Sequence, residues 1–162
     1  MREHIRILFL DIDGVCNNRR TRERQGDTKF IGIKPELADR VRRIVAETGC
    51  KVVLSSSWRL FPDSKAWAEQ NVCEFFDATA DLNRGAVWGM IYRGFEIMEW
   101  LNRHPGVRRY AILDDSSDFL WGQYLFRTTW EDGLTDEIAD AVIAHLNSAE
   151  PLPRPTQGSP NA

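Results

Sequence analysis

One short apolar run, ending abruptly at an acid, constrains this chain more than any other feature. Ile5, Ile7, Leu8, Phe9 and Leu10 are apolar, with only Arg6 among them, and Asp11 follows at once. The run lacks the apolar–polar alternation of a strand that is wet on one side. It therefore predicts a strand buried on both faces, as found in parallel sheets covered by helices. Two later segments follow the same plan. Lys51 to Leu54 runs into Ser55-Ser56-Ser57, and Tyr110 to Leu113 runs into Asp114-Asp115.

Helical patterns separate these strands. Pro35 opens an amphipathic stretch in which Leu37, Ala38, Val41, Ile44 and Val45 share a face, and Gly49 closes it. Pro62 to about Cys73 reads as helix, and so does Arg93 to Arg103, with Ile97, Trp100 and Leu101 on one side. A short helix is expected from Ser117, a last strand over Leu125–Thr129, and a final helix over Asp136–Leu146 capped by Thr135. The stretch from Phe75 to Tyr92 carries no clear pattern. Alternating strands and helices predict an α/β fold: a three-layer, Rossmann-like parallel sheet with helices on both faces.

The 162 residues suffice for one domain, expected over 1–146. Residues 17 to 34 read as a polar flap, and the Pro-, Ser- and Gly-rich tail over 147–162 is expected to be disordered. With 43% hydrophobic and 28% charged residues, composition excludes a chain disordered throughout. A net charge of -3 excludes a uniformly basic nucleic-acid binder, so any such contact must come from a local patch. Cys16, Cys50 and Cys73 are odd in number and form no paired motif, which fits reduced thiols. The first apolar run is too short for a membrane span or a signal core. A soluble, cytoplasmic protein with no membrane partner is the expectation.

Open α/β sheets bind ligands beyond the carboxyl ends of their strands. The fold would thus gather Asp11-Ile12-Asp13, the three serines and Asp114-Asp115 at one edge. Carboxylates crowded there repel unless a cation lies among them, and hard oxygen donors suit Mg²⁺. The metal candidates are Asp11, Asp13, Asp114 and Asp115. Asp118 is either a further acid of this group or a helix cap. The hydroxyls of Ser55, Ser56 and Ser57 could bond phosphoryl oxygens, and Arg59 could clamp a phosphate as a planar fork. Trp58 fits the core or rim better than a base-stacking role. Arg93, at a helix start, would offset negative charge on a transferring phosphoryl group.

These motifs resemble those of the haloacid dehalogenase (HAD) family. Ile7-Leu-Phe-Leu-Asp11-Ile-Asp13-Gly-Val is similar to its first motif, and Val52-Val-Leu-Ser-Ser56 to its second. Arg93 falls where the third motif usually has lysine, and Ala111-Ile-Leu-Asp114-Asp115 is similar to the fourth. The resemblance implies Asp11 as nucleophile, Asp13 as general acid and base, and Ser56 and Arg93 as stabilisers of the phosphoryl charge. It also implies Mg²⁺ held by Asp11, the Asp13 backbone carbonyl, and Asp114 or Asp115. Register with family members favours Ser56 over Ser55 as the phosphate-binding hydroxyl. The run Leu-Ser-Ser-Ser-Trp-Arg59, together with Arg93-Gly-Phe-Glu-Ile-Met-Glu-Trp-Leu and Gly133-Leu-Thr, resembles the HAD domains of Swiss Army Knife RNA-repair proteins. That likeness implies removal of a terminal phosphate from RNA or DNA.

Little sequence is left for a large cap over the site, which suits a bulky substrate such as a nucleic-acid end. Arg19, Arg20, Arg22, Arg24 and Lys29 cluster on the flap, where they could guide a polyanion. Three readings follow: a phosphatase of nucleic-acid 3′ ends, a small-molecule phosphatase such as a nucleotidase, and a non-catalytic phosphate- or nucleic-acid-binding module.

Overall fold

The computed structural model describes residues 5–84 and 91–152. Its strands are β1 (Ile5–Leu10), β2 (Lys51–Leu54), β3 (Asp77–Ala78), β4 (Val107–Asp114) and β5 (Leu125–Arg127). They form one parallel sheet in the order β3-β2-β1-β4-β5. β1 is thus the middle strand, and Ile7, Leu8, Phe9 and Leu10 are wholly buried. The side chains alternate between two cores. Leu8 and Leu10 join the core on one face, and Ile7 and Phe9 join the core on the other. This is why the run is apolar at successive positions.

Helices α1 (Pro35–Thr48) and α4 (Asp136–Asn147) cover the first face, packing Val41, Ile44, Ala139 and Val142 against the sheet. Proline opens α1, where a backbone N–H is not needed. Gly49 closes it in the left-handed conformation (φ 65°), donating its N–H to the Val45 carbonyl at 2.9 Å. The Thr135 hydroxyl caps α4 by accepting from Ile138 N. Helix α2 (Pro62–Asn71) packs Ala68 into the same core. Helix α3 (Arg93–Arg103) covers the opposite face with Ile97 and Trp100. The Trp100 ring meets Phe9 edge-on at 5.3 Å, and its indole N–H donates to Asp77 at 2.7 Å. Helices therefore lie on both sides of the sheet, giving the expected three layers.

Two expectations need correction. β4 starts at Val107 and so is longer than its apolar stretch. Arg109 within it is buried because its guanidinium donates to the carbonyls of His145 and Glu150. That contact holds the chain just past α4, whereas the rest of the expected tail, 153–162, lies outside the described residues. The short helix expected from Ser117 does not form. Its backbone is spent on α3 instead: the Asp118 carboxylate accepts from Arg93 N at 3.2 Å, and the Asp118 carbonyl accepts from Gly94 N at 3.1 Å. A Cβ on Gly94 would lie 2.7 Å from Leu120 N, so only glycine permits this approach.

The insertion after β1 is a small hairpin, not a folded cap. Arg24 bridges Ile31 in antiparallel fashion, and Gln25 N donates to the Phe30 carbonyl at 3.1 Å. Among the described residues no helix is long and apolar enough to cross a membrane.

Candidate active site

Backbone pairing lines up the strand ends. Leu10 is level with Leu54 on one side and Leu113 on the other. Just beyond, Asp11 N donates to the Leu113 carbonyl and Ser55 N donates to the Leu10 carbonyl, both at 2.9 Å. Thr128 N donates to the Asp114 carbonyl at 3.0 Å. Asp11, Ser55-Ser56 and Asp114 therefore stand side by side. The sequence of strands changes direction between β1 and β4, so this is also the crevice where such sheets bind ligands.

Asp11, Asp114 and Asp115 each bring a carboxylate oxygen within 4.8 Å of the others. Asp11 and Asp114 are buried. Gly14 makes the crowding possible. It turns the chain with φ 77°, and a Cβ there would sit 2.3 Å from the Asp115 carboxylate. Burial pushes the Asp11 carboxyl up to about 7, and the Asp114 charge adds to the rise. Arg93, the Ile12 N–H and the Ser56 hydroxyl oppose it without cancelling it. Asp115 is also raised, first by burial and then by Asp114. The Arg93 guanidinium bridges the pair, with Nη1 2.5 Å from Asp114 and 3.2 Å from Asp11. Burial disfavours its charge, but Asp11 and Asp114 outweigh that and hold it above its usual range.

Asp13 stands apart from this cluster. One carboxylate oxygen accepts from Asn17 Nδ2 at 2.9 Å, and the other accepts from the Trp58 indole N–H at 3.0 Å. Asn17 is itself wholly buried and fixed. It also donates to the Gly32 carbonyl and accepts from Gly14 N. The Ser56 hydroxyl accepts from Trp58 N at 3.2 Å, so one turn positions both the serine and the indole.

Residues 7–139 match the family described as the HAD domain in Swiss Army Knife RNA repair proteins. The chain belongs to this family. No curated protein matches it. Membership makes it a HAD-type hydrolase domain.

A cation suits the acidic end of this HAD domain. Three carboxylates lie within 4.8 Å of one another and Arg93 pairs with two of them, while burial first and the Asp114 charge second raise the Asp11 carboxyl. Oxygen-only donors of this kind fit a hard divalent metal. Asp11, Asp114 and Asp115 are the side chains able to hold it. The Asp13 carboxylate, turned toward Asn17 and Trp58, is not part of that set.

Several other candidates lie elsewhere. Arg59 does not face the crevice. Its side chain is 6% exposed, and it donates to Glu96 and to the carbonyls of Ser55, Ser56, Thr79 and Ala80. With its donors committed, it has no fork left for a phosphate. Ser57 is exposed at the start of the 3₁₀ turn over Ser57–Leu60. The Ser55 hydroxyl is buried without a hydrogen-bond partner among the described residues. Arg20 lies on the surface, 3.4 Å from Asp132. Asp118 is a cap for α3: burial would raise its carboxyl, but bonds from Ser116 and the Arg93 amide together hold it below its usual range. Asn17 and the indole of Trp58 are the site residues that sequence reasoning missed.

Proposed function

We propose that this HAD domain is a Mg²⁺-dependent phosphomonoester hydrolase that works through an aspartyl-phosphate on Asp11 and acts on nucleic-acid 3′-phosphate ends. The observation that carries this reading is the pairing of a clustered Asp11 with an Asp13 held apart from it. Asp11 stands among Asp114, Asp115 and Arg93, where negative oxygens are to be gathered. Asp13 is pinned from both sides by Asn17 and Trp58, clear of the metal cluster. Two carboxylates in different surroundings suit two different roles.

In the first step an Asp11 carboxylate oxygen attacks phosphorus, and the bond from phosphorus to the leaving oxygen breaks. Asp13 delivers a proton to that oxygen. Each Asp13 oxygen accepts one bond and keeps a lone pair that can carry the proton. In the second step Asp13 takes a proton from water, the water oxygen attacks phosphorus, and the bond from Asp11 to phosphorus breaks. Inorganic phosphate leaves and Asp11 is restored. Arg93 and the Ser56 hydroxyl offset phosphoryl charge throughout. Asp11, Asp114 or Asp115 and the Asp13 carbonyl would hold Mg²⁺, which would supply charge neutralisation for phosphate and nucleophile. Among the described residues the insertion after β1 adds only a small hairpin and no folded cap, which supports a long substrate. The family's occurrence in RNA repair proteins supports a nucleic-acid end as that substrate.

The test is phosphate release from a 3′-phosphorylated oligonucleotide, from mononucleotides and from a simple phosphomonoester, each with Mg²⁺ and with chelator. The expected result is metal-dependent turnover, fastest on the oligonucleotide and lost in Asp11→Asn. Preference for mononucleotides would make the protein a nucleotidase. No turnover on any of the three would leave a binding module.

A further inference from the structure

Next to Asp13 the surface opens into a cleft of ≈ 540 Å³. One wall is the tip of the flap hairpin, and the other is the 3₁₀ turn with the start of α2. The flap is tied across it. The Ser64 hydroxyl donates to the Gln25 side chain at 2.9 Å, and Gly26 lies against the Trp67 ring. Phe30, Phe61, Trp58 and Trp67 give the cleft aromatic faces. Phe30 is 67% exposed and Phe61 61% exposed, although both border a concave site. Large rings left in water beside a reaction centre mark a surface awaiting a flat apolar partner.

Charge narrows the choice of partner. The acids lining the cleft are Asp13 and Asp63, which repel a phosphate and tolerate a neutral ring. Positive charge lies outside, on the flap. Arg19 and Arg20 are paired with Glu131 and Asp132, whereas Arg22, Arg24 and Lys29 form no ion pair among the described residues. The cleft begins at Asp13, the residue that protonates the leaving oxygen, so it lies on the leaving-group side of the reaction. For a 3′-phosphate the leaving group is a nucleoside, and its base projects away from the scissile bond.

The geometry points to this cleft as the seat of the 3′-terminal nucleobase, stacked on Phe30 and Phe61, with preceding backbone phosphates drawn by Arg22, Arg24 and Lys29. This assignment rests on the phosphatase reading above. Stacking on an aromatic face tolerates any base, so the site would recognise that a base is present and not which one. The sugar phosphates of small metabolites offer no such ring, and the cleft selects against them.

The test compares two oligonucleotides with a 3′-phosphate, one ending in an ordinary nucleotide and one in a tetrahydrofuran abasic residue. Wild-type kcat/KM should favour the base-bearing end by about 5- to 150-fold. In Phe30→Ala/Phe61→Ala, whose altered side chains are exposed, that ratio should fall toward one. Equal turnover of both ends by the wild type, or an unchanged ratio in the variant, would overturn the assignment. If the wild type turns over neither end, the phosphatase reading has failed and the cleft is judged by affinity. Asp11→Asn should then still bind the base-bearing end more tightly, and equal affinities would overturn the assignment. Sedimentation provides a further arm. A dimer that dissociates in Phe30→Ala/Phe61→Ala, with no base preference, would show that a second copy of the chain occupies the cleft.

Discussion

Arg59 and Arg93 stand along one row of strand tips, Arg59 at the ends of β2 and β3 and Arg93 at those of β1 and β4, and their surroundings differ in kind. Around Arg59 the polar groups are matched. Its guanidinium meets Glu96 and carbonyls from two segments, and the second Glu96 oxygen accepts from Leu82 N at 3.1 Å. Around Arg93 they are not. Three carboxylates crowd together and one guanidinium pairs with two of them, and Asp11 is pushed up to about 7, first by burial and then by Asp114. A matched cluster is complete as folded and positions backbone. An unmatched one is stable only because the surrounding sheet forces it, and it gains from a ligand that supplies charge. Arginine as a residue type does not reveal function here; the balance of its neighbours does.

The sharpest way to break this contrast is to remove one charge from each region. Asp11→Asn should cost about 10⁴-fold or more in kcat, since it removes the proposed nucleophile. Its folding free energy should fall by no more than about 1 kcal/mol, or rise, because a crowded charge has been relieved. Denaturant melts beside the activity assay check both halves. A large loss of stability would mean that the acidic cluster is structural after all. Arg59→Ala should act in reverse, costing about 3–5 kcal/mol by leaving Glu96 buried and unpaired. Burial pushes the Glu96 carboxyl up even with Arg59 beside it, so the pair itself is weakly stabilising at best. Arg59→Met/Glu96→Leu should therefore recover much of the loss. A double variant as unstable as the single one would show that the carbonyl contacts of Arg59 matter more than its charge.

Much of this contrast was legible in the sequence, and the illegible part has a physical cause. Apolar runs that stop at Asp11, Ser55 and Asp114 place those residues at strand ends, because a strand apolar on both faces has only one kind of home. Arg93 was readable for a similar reason, as it opens a helix with a clear apolar face. Arg59 was misread as a phosphate clamp because its partners come from Thr79, Ala80 and Glu96, distant positions in or beyond the stretch with no pattern. Ser117 onward was misread as helix because Asp118 caps α3, a contact between segments that local propensity does not encode. Asn17 left a faint trace: a polar residue directly after Val15 and Cys16, four positions from Asp13. Only the turn at Gly14 reveals that this spacing brings the two side chains together.

Trp58 lies between the two regions and provides a finer test. Its indole belongs to the core, yet its N–H holds Asp13. Trp58→Phe keeps most of the packing and deletes that bond. A hydrogen bond to a charged group contributes about 1.5–3 kcal/mol, so kcat should fall at least about tenfold. Stability should change less than in Arg59→Ala. Asn17→Ala would disturb the same carboxylate but also free the Gly14 and Gly32 groups, so it should lower both activity and stability. If Trp58→Phe leaves kcat unchanged, Asp13 is positioned well enough by Asn17 alone.

The smallest expected effect concerns the flap, which belongs to neither region and is open to solvent. Its basic residues are unequal. Arg19 is 3.2 Å from Glu131 and Arg20 is 3.4 Å from Asp132, pairings that offset much of their charge. Arg22 and Arg24 form no ion pair among the described residues. Neutralising Arg22 and Arg24 should therefore weaken oligonucleotide binding more than neutralising Arg19 and Arg20. Each lost phosphate contact on a single strand should lower the slope of log affinity against log salt by about 0.7. A salt titration of each double variant reads this directly. Equal slopes for wild type and both variants would remove the flap from substrate capture, and would leave Arg93, set between Asp11 and Asp114, as the positive side chain that the crevice offers a phosphate.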